Sequence, residues 1–126
     1  MKFSTWLTIA AVVAVVFGLA FVLVTGPLLS VYGITLDKAG TLVAQLFGAS
    51  LLGFAVLNWF ARGVTDREAR QAILLANLAS DAVGFVMALI GQLAGVANAL
   101  GWSTVALYLL LALGFAYFQF MKPSTA

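Results

Sequence analysis

Four stretches of this 126-residue sequence are long and apolar enough to cross a lipid bilayer, and no other feature constrains the fold as strongly. The hydrocarbon core of a bilayer is about 30 Å thick, and a helix needs about 20 residues to cross it. The predicted spans cover residues 3–24, 41–61, 71–93 and 102–121. The sequence therefore predicts an all-α membrane protein, a single four-transmembrane-helix bundle within residues 1–126.

Composition excludes a soluble protein and several kinds of site. Hydrophobic residues make up 64% of the chain and charged residues 8%, whereas about a quarter of a soluble protein is charged. The chain has no Cys and no His, the usual ligands of zinc, haem and iron–sulfur clusters. We therefore expect a lipid bilayer as the surroundings, no metal and no other cofactor. Nucleic acid is not an expected partner, because the basic residues lie singly at the ends of apolar segments.

The positions of the basic residues predict the orientation. With four spans, both termini and the loop between the second and third spans share one side of the membrane. That side carries Lys2, Arg62, Arg67, Arg70 and Lys122. The other side carries only Lys38. By the positive-inside rule, both termini are predicted to be cytoplasmic. The first span is longer than the apolar region of a signal peptide, so we expect an uncleaved anchor.

The connections carry helix-boundary signals. Gly63 is expected to close the second helix in a left-handed conformation, and Thr65 with Glu68 has the spacing of a capping box for the third. These signals predict a tight antiparallel hairpin of the second and third helices. Gly26-Pro27 ends the first helix, and the loop 25–40 is expected to lie in the membrane interface with one short amphipathic turn.

A weak internal repeat suggests how the bundle is organised. The sequence Leu-Gly-Phe-Ala at 52–55 recurs at 113–116, and each copy is followed by an amide and an aromatic residue, at 58–59 and 119–120. This pattern is consistent with a duplicated helical hairpin whose two copies run in the same direction. Chance similarity between apolar segments is the alternative.

Small residues at three- and four-residue spacing predict the faces on which the helices pack, because they allow close approach of backbones in lipid. The predicted packing positions are Ala14, Gly18, Ala49, Gly53, Gly84, Ala88 and Gly91. Packing within one bundle explains most of them. A seam between copies of the chain is the alternative.

Asp81 is the only acid or base at mid-depth in a span, where an ionisable group costs about 2.5–3.5 kcal/mol. It lies 11 residues beyond Arg70, or about 16 Å along a helix. The predicted polar site around it contains Asn77, Ser50, Tyr117 and Gln45. Two interpretations stay open. A neutral Asp81 could join helices by a hydrogen bond, or Asp81 could take up a proton or a cation during transport.

The segment Val43–Gly53, preceded by Pro27 and Tyr32-Gly33, resembles the second-helix region of small bacterial four-helix integral membrane proteins that are broadly DoxX-like. The resemblance implies a four-helix bundle in a bacterial inner membrane and implies no mechanism. The general plan of four short spans and one embedded acid is similar to that of small multidrug transporters, whose acid lies in the first helix instead.

The sequence favours a non-enzymatic role and predicts no catalytic residues. No second deep carboxylate accompanies Asp81, no Lys lies inside a span, and no loop has the spacing of a phosphate-binding motif. The favoured function is a subunit or accessory scaffold of a membrane assembly, with a homo-oligomer or other membrane-protein subunits as partners. The alternative is a small proton- or cation-coupled transporter or channel that works as an oligomer and uses Asp81.

Overall fold

The fold is all-α, in a computed structural model that describes residues 2–121. Its helices are α1 (Phe3–Leu23), α2 (Thr25–Val31), α3 (Lys38–Phe60), α4 (Arg67–Leu93) and α5 (Gly101–Ala116). A 3₁₀ turn, Ala61–Gly63, extends α3, and a π-helical turn, Tyr117–Met121, extends α5. With these extensions, four of the helices in the described part of the chain are long and apolar enough to cross a membrane. The predicted four-helix fold class is confirmed.

The helices α3 and α4 begin a few residues before the predicted second and third spans because polar residues cap them. The Asp37 carboxylate accepts a hydrogen bond of 2.7 Å from the Gly40 amide, and the Asp66 carboxylate accepts one of 2.9 Å from the Ala69 amide. A capping side chain of this kind satisfies an amide that the first helical turn leaves without a partner. The helices therefore start in polar sequence, outside the apolar runs.

Two expectations about the α3–α4 connection are wrong. Asp66, and not Thr65, is the N-cap residue of α4, because the Asp66 carboxylate reaches the helix amide. Gly63 lies in the 3₁₀ turn that ends α3, and its backbone is not left-handed. Among the described residues, the left-handed glycines are Gly33 and Gly95.

The bundle consists of two antiparallel hairpins, one of α1 with α3 and the other of α4 with α5. In the first hairpin the backbones meet at Gly18 and Gly48, where a Cβ atom on Gly48 would lie 2.9 Å from the Gly18 carbonyl oxygen. In the second, the Tyr108 ring occupies the space that a side chain at Gly84 would need. Both hairpins run in the same direction, which is the arrangement that the internal repeat suggests.

The hairpins are packed together at one end of the bundle, where α1 begins and α5 ends. We call this the near end. Its core contains Phe3, Leu7, Leu74, Phe115 and Phe118, which come from three of the long helices and the π-helical turn. The rings of Phe3 and Phe118 meet edge to face at 6.3 Å between centroids. Ala61, in the 3₁₀ turn that extends α3, belongs to the same core, so all four long helices meet there. The tight α3–α4 hairpin predicted from the sequence is wrong, because α3 packs along α1 and α4 packs along α5.

A second, smaller connection joins the hairpins at the opposite or far end, where α2 and the 94–100 loop lie. The Asn98 amide nitrogens donate to two backbone carbonyls, those of Val31 and Tyr32, at 3.0 and 2.8 Å. Gly33 next to them has φ of +76°, a conformation that L side chains rarely adopt. The α2–α3 connection is thereby attached to the α4–α5 connection.

The outer surface of the bundle is apolar along its length. Leu23, Phe60, Met87 and Leu110 are all more than half exposed, as are many other large hydrophobic side chains. A soluble monomer rarely exposes contiguous apolar surface of this extent. The chain is therefore a multi-pass helical membrane protein.

Candidate functional site

A cavity of about 380 Å³ lies between the two hairpins. It reaches from α2 and the 94–100 loop at the far end to Asn58, Asn77 and Phe115 next to the near-end core. The hairpins touch at their ends, through the aromatic core and the Asn98 hydrogen bonds, so the space between them stays open at mid-depth. Its volume is within the range of small-molecule pockets, about 300–1,000 Å³.

Small residues on the helix faces keep this space open. Ala10 and Ala14 line it from α1, and Ala88 and Gly91 line it from α4. A Cβ atom on Gly91 would meet no other atom within 4 Å, so α4 faces open space at this position. The sequence predicted that Ala14, Ala88 and Gly91 bring helices together, whereas the structure places all of them on the cavity wall.

Asp81 projects from the middle of α4 onto the cavity wall. Within residues 2–121 its carboxyl group makes no hydrogen bond or ion pair with another residue, although it lies near enough to the Tyr108 phenol for the two to interact electrostatically. Ser50 of α3 and Ser80 of α4 line the same cavity. The Asp81 carboxyl group, which is costly in free energy to place inside a membrane, is therefore available to a molecule bound in the cavity.

The polar contact that joins the hairpins is made by two asparagines instead. The Asn58 and Asn77 side-chain amides donate to each other's oxygen, and both hydrogen bonds are 2.9 Å long. Asn77 also donates to the Ile73 carbonyl at 2.9 Å. The exposed fractions of Asn58 and Asn77 are 1% and 4%. This pair fills the interhelical role that one interpretation of the sequence gave to Asp81.

The structure brings together only part of the predicted polar site. Ser50 and Asn77 line the cavity with Asp81, but the Ser50 hydroxyl donates to the Leu46 carbonyl of its own helix at 3.3 Å. Gln45 is directed to α1, where its amide donates to the Val22 carbonyl at 3.4 Å. Asp81, Ser50 and Asn77 therefore share one cavity wall, and Gln45 is an α1–α3 contact.

Tyr117 is a correction to the predicted set. It is exposed and packs edge to face on Phe118, at 5.1 Å between ring centroids, and it does not line the cavity. The contact of Tyr108 with Gly84 fixes the register of α5 on α4. Tyr117 is nine residues further along, or roughly 13 Å toward the near end. Tyr108, which sequence reasoning missed, takes the position expected of Tyr117.

The predicted small-residue face of α3 also requires correction. Gly48 makes the close contact with α1, whereas Ala49 and Gly53 are exposed on the outside of the bundle. A Cβ atom on Gly53 would meet no atom within 4 Å. Gly18 and Gly84, in contrast, lie in helix contacts as the spacing suggested. One residue along a helix turns the side chain by about 100°, which separates the face of Gly48 from that of Ala49.

The wall of the cavity is apolar apart from a few polar groups and one acid. Aromatic side chains line it from α1, α3 and α5 and from the end of α2, including Phe17, Phe54, Tyr108 and Tyr32. Asp81 is the only acidic lining residue among those described, and none of the lining residues is basic. Such a wall can enclose an apolar body and offer it one negatively charged or hydrogen-bonding contact.

The chain matches no protein-family model, no curated protein and no solved structure.

Proposed function

We propose that this protein binds a lipophilic small molecule in the cavity between its two hairpins and carries it within or across the cell membrane without chemical change. The observation that supports the proposal is a cavity at mid-depth whose wall holds an acid without a hydrogen-bond partner in the described part of the chain. Ionisable groups inside membranes carry a high free-energy cost, and they usually mark a substrate or ion pathway.

The way the hairpins are joined favours a bound molecule over the alternative role for Asp81, an interhelical hydrogen bond. Asn58 and Asn77 already provide the buried polar contact between the hairpins. Asp81 contributes no such bond among the described residues. Contact with a bound molecule would account for an acid in a membrane span that makes no hydrogen bond between helices.

The proposal is for a non-enzymatic protein in the inner membrane of a bacterium, with both termini in the cytoplasm. Among residues 2–121, no Lys or Arg lines the cavity, and Asp81 has no second acid there to form a general acid–base pair. The basic residues at the near end, among them Arg62 and Arg67, support a cytoplasmic location of that end.

A cavity-filling substitution tests the binding function. Ala88 lines the cavity, whereas Ala79, on the same helix, is exposed and lines none of it. The Ala88→Phe variant is expected to lose binding because the ring would occupy the guest's space, and Ala79→Phe is the matched control. The measurement is fluorescence titration of each purified protein in detergent with the neutral probe N-phenyl-1-naphthylamine.

Wild type and Ala79→Phe should show saturable binding, with a Kd that agrees within about twofold, and Ala88→Phe should show at least tenfold weaker binding. A protein-free micelle sample is titrated as the background. If none of the three proteins shows saturable binding above that background, a guest-binding cavity is refuted.

A second candidate function, a subunit or accessory scaffold of a membrane assembly, is favoured by the outer face of α3. Ala49 and Gly53 are exposed there, one helical turn apart, and nothing covers Gly53. Small residues at this spacing allow another helix to approach closely. The particle mass in mild detergent tests this role. A complex with other chains that Gly53→Leu dissociates would support it, and a Gly53→Leu particle of the same mass as wild type would count against it.

A further inference from the structure

We propose that the guest of the cavity is a lipophilic organic monocation and that the Asp81 carboxylate is its counter-ion. The inference rests on the proposed function and deepens it by naming the chemical class of the guest. Three properties of the cavity support it: its charge, its aromatic wall and its size.

The charge of the wall is unbalanced. Asp81 is an acid, and no Lys or Arg is present among the described lining residues to pair with it. A charged group in a medium of low polarity is costly unless an opposite charge accompanies it. A guest that carries one positive charge would supply that partner. An anionic guest would be repelled, and a neutral guest would leave the carboxyl group unpaired.

The aromatic wall suits a cation with apolar substituents. Phe17 of α1, Phe54 of α3 and Tyr108 of α5 line the cavity from different helices. The face of an aromatic ring attracts a cation electrostatically, and the attraction is strongest where water is excluded. The same rings pack well against the apolar part of an organic ion. The wall thus supplies both the attraction for charge and the contact area.

The size and composition of the cavity argue against an inorganic ion. A volume of about 380 Å³ suits a molecule with many non-hydrogen atoms. Calcium needs about six to eight oxygen ligands, and magnesium retains its water shell unless strong ligands replace it. Asp81 is the only carboxylate on the described wall. The geometry therefore favours an organic cation that needs one counter-ion and no coordination shell.

The experiment compares three probes of nearly equal size and shape: tetraphenylphosphonium, its neutral analogue tetraphenylsilane and its anionic analogue tetraphenylborate. Each is titrated against the purified protein in detergent, and the stabilisation on thermal unfolding gives the affinity. The proteins are wild type, Asp81→Asn, Asp81→Glu and Ala88→Phe. Asn keeps the size of Asp and cannot be ionised, whereas Glu keeps the charge.

We expect wild type to bind the phosphonium at least about tenfold more tightly than the silane, and to bind the borate least. Asp81→Asn should lose this preference, and its stabilisation by the silane would show that the variant is folded. Asp81→Glu should retain a preference for the cation. Equal affinity of wild type for the three probes, or a cation preference that persists in Asp81→Asn, would overturn the inference.

These outcomes separate the inference from the function on which it rests. Binding of the silane that Ala88→Phe abolishes, without a preference for the cation, would leave the guest-binding function standing and exclude a cationic guest. Failure of all three probes to stabilise wild type more than Ala88→Phe would contradict both. A preference for the borate would show that Asp81 does not act as a counter-ion.

Discussion

The reciprocal amide pair of Asn58 and Asn77 allows a direct measurement of what joins the two hairpins. We expect replacement of either residue by Leu to destabilise the bundle, and by different amounts. Asn77→Leu removes the only partner that Asn58 has among the described residues. Asn58→Leu leaves Asn77 with its hydrogen bond to the Ile73 carbonyl. Asn77→Leu is therefore the more damaging change.

The expected magnitudes follow from burial. The exposed fractions of 1% and 4% mean that both amides are buried, so the loss of a partner is costly. A buried polar group without a partner costs about 1–3 kcal/mol, and hydrogen bonds between membrane helices average about 0.6 kcal/mol with a maximum near 1.7. We expect Asn58→Leu to cost about 1 kcal/mol and Asn77→Leu about 2 kcal/mol. The double variant should cost about 1–2 kcal/mol, less than the sum, because no amide is then left unsatisfied.

The assay is a double-mutant cycle, with the free energy of unfolding of each variant measured in detergent. Thr8→Val is the matched control, since the Thr8 hydroxyl donates only to the Ser4 carbonyl of its own helix. That variant should change stability by about 0.5 kcal/mol or less and should be additive with Asn58→Leu. Additivity of Asn58→Leu and Asn77→Leu within about 0.3 kcal/mol would show that the two side chains are not bonded to each other.

Two further predictions concern orientation and packing. Reporters fused after Lys2 and after Ala126 should both report a cytoplasmic location, and a reporter at Lys38 should report an external one. The reason is that most of the basic residues lie on the side of the termini. Termini on opposite sides of the membrane would exclude four spans. Gly84→Leu should lower the free energy of unfolding by about 1–3 kcal/mol, because the side chain would overlap the Tyr108 ring, whereas Gly53→Leu should leave it nearly unchanged in the monomer. Equal effects of the two leucines would show that α4 and α5 do not meet at Gly84.

The spans could be predicted from sequence because each depends on a property that sequence displays directly, a long run of apolar residues. The starts of α3 and α4 could not, because they depend on which polar residue turns its side chain to the helix amides. Thr65 and Asp66 are adjacent and both are good capping residues, and only the backbone geometry favours Asp66. The pairing of α1 with α3 and of α4 with α5 agrees with the internal repeat.

The candidate site was only partly predictable, because it depends on the register between helices. The singular position of Asp81 is visible in the sequence, since no other charged residue lies so deep in a span. Its neighbours on other helices depend on where α5 contacts α4, and that contact is set by Gly84 and Tyr108. Counting from the span ends selected Tyr117 instead. The pairing of a glycine with a large aromatic residue was the signal that could have indicated Tyr108.

Likewise, the cavity has no signature in the sequence. Ala88 and Gly91 have the spacing of helix-packing residues, and spacing does not reveal whether a small residue faces another helix or an open space. The difference arises because the hairpins are joined at their two ends, through the Phe115 core and the Asn98 hydrogen bonds. Both connections join residues far apart in the chain.

The free energy of unfolding of Asp81→Leu distinguishes an acid that serves a bound molecule from one that stabilises the fold. Leu fits the open space at this position and removes a polar group that the described protein leaves without a hydrogen bond. We expect Asp81→Leu to be at least as stable as wild type in detergent without ligand, as is common when a functional residue is replaced. A loss of about 1 kcal/mol or more would show instead that Asp81 holds helices together.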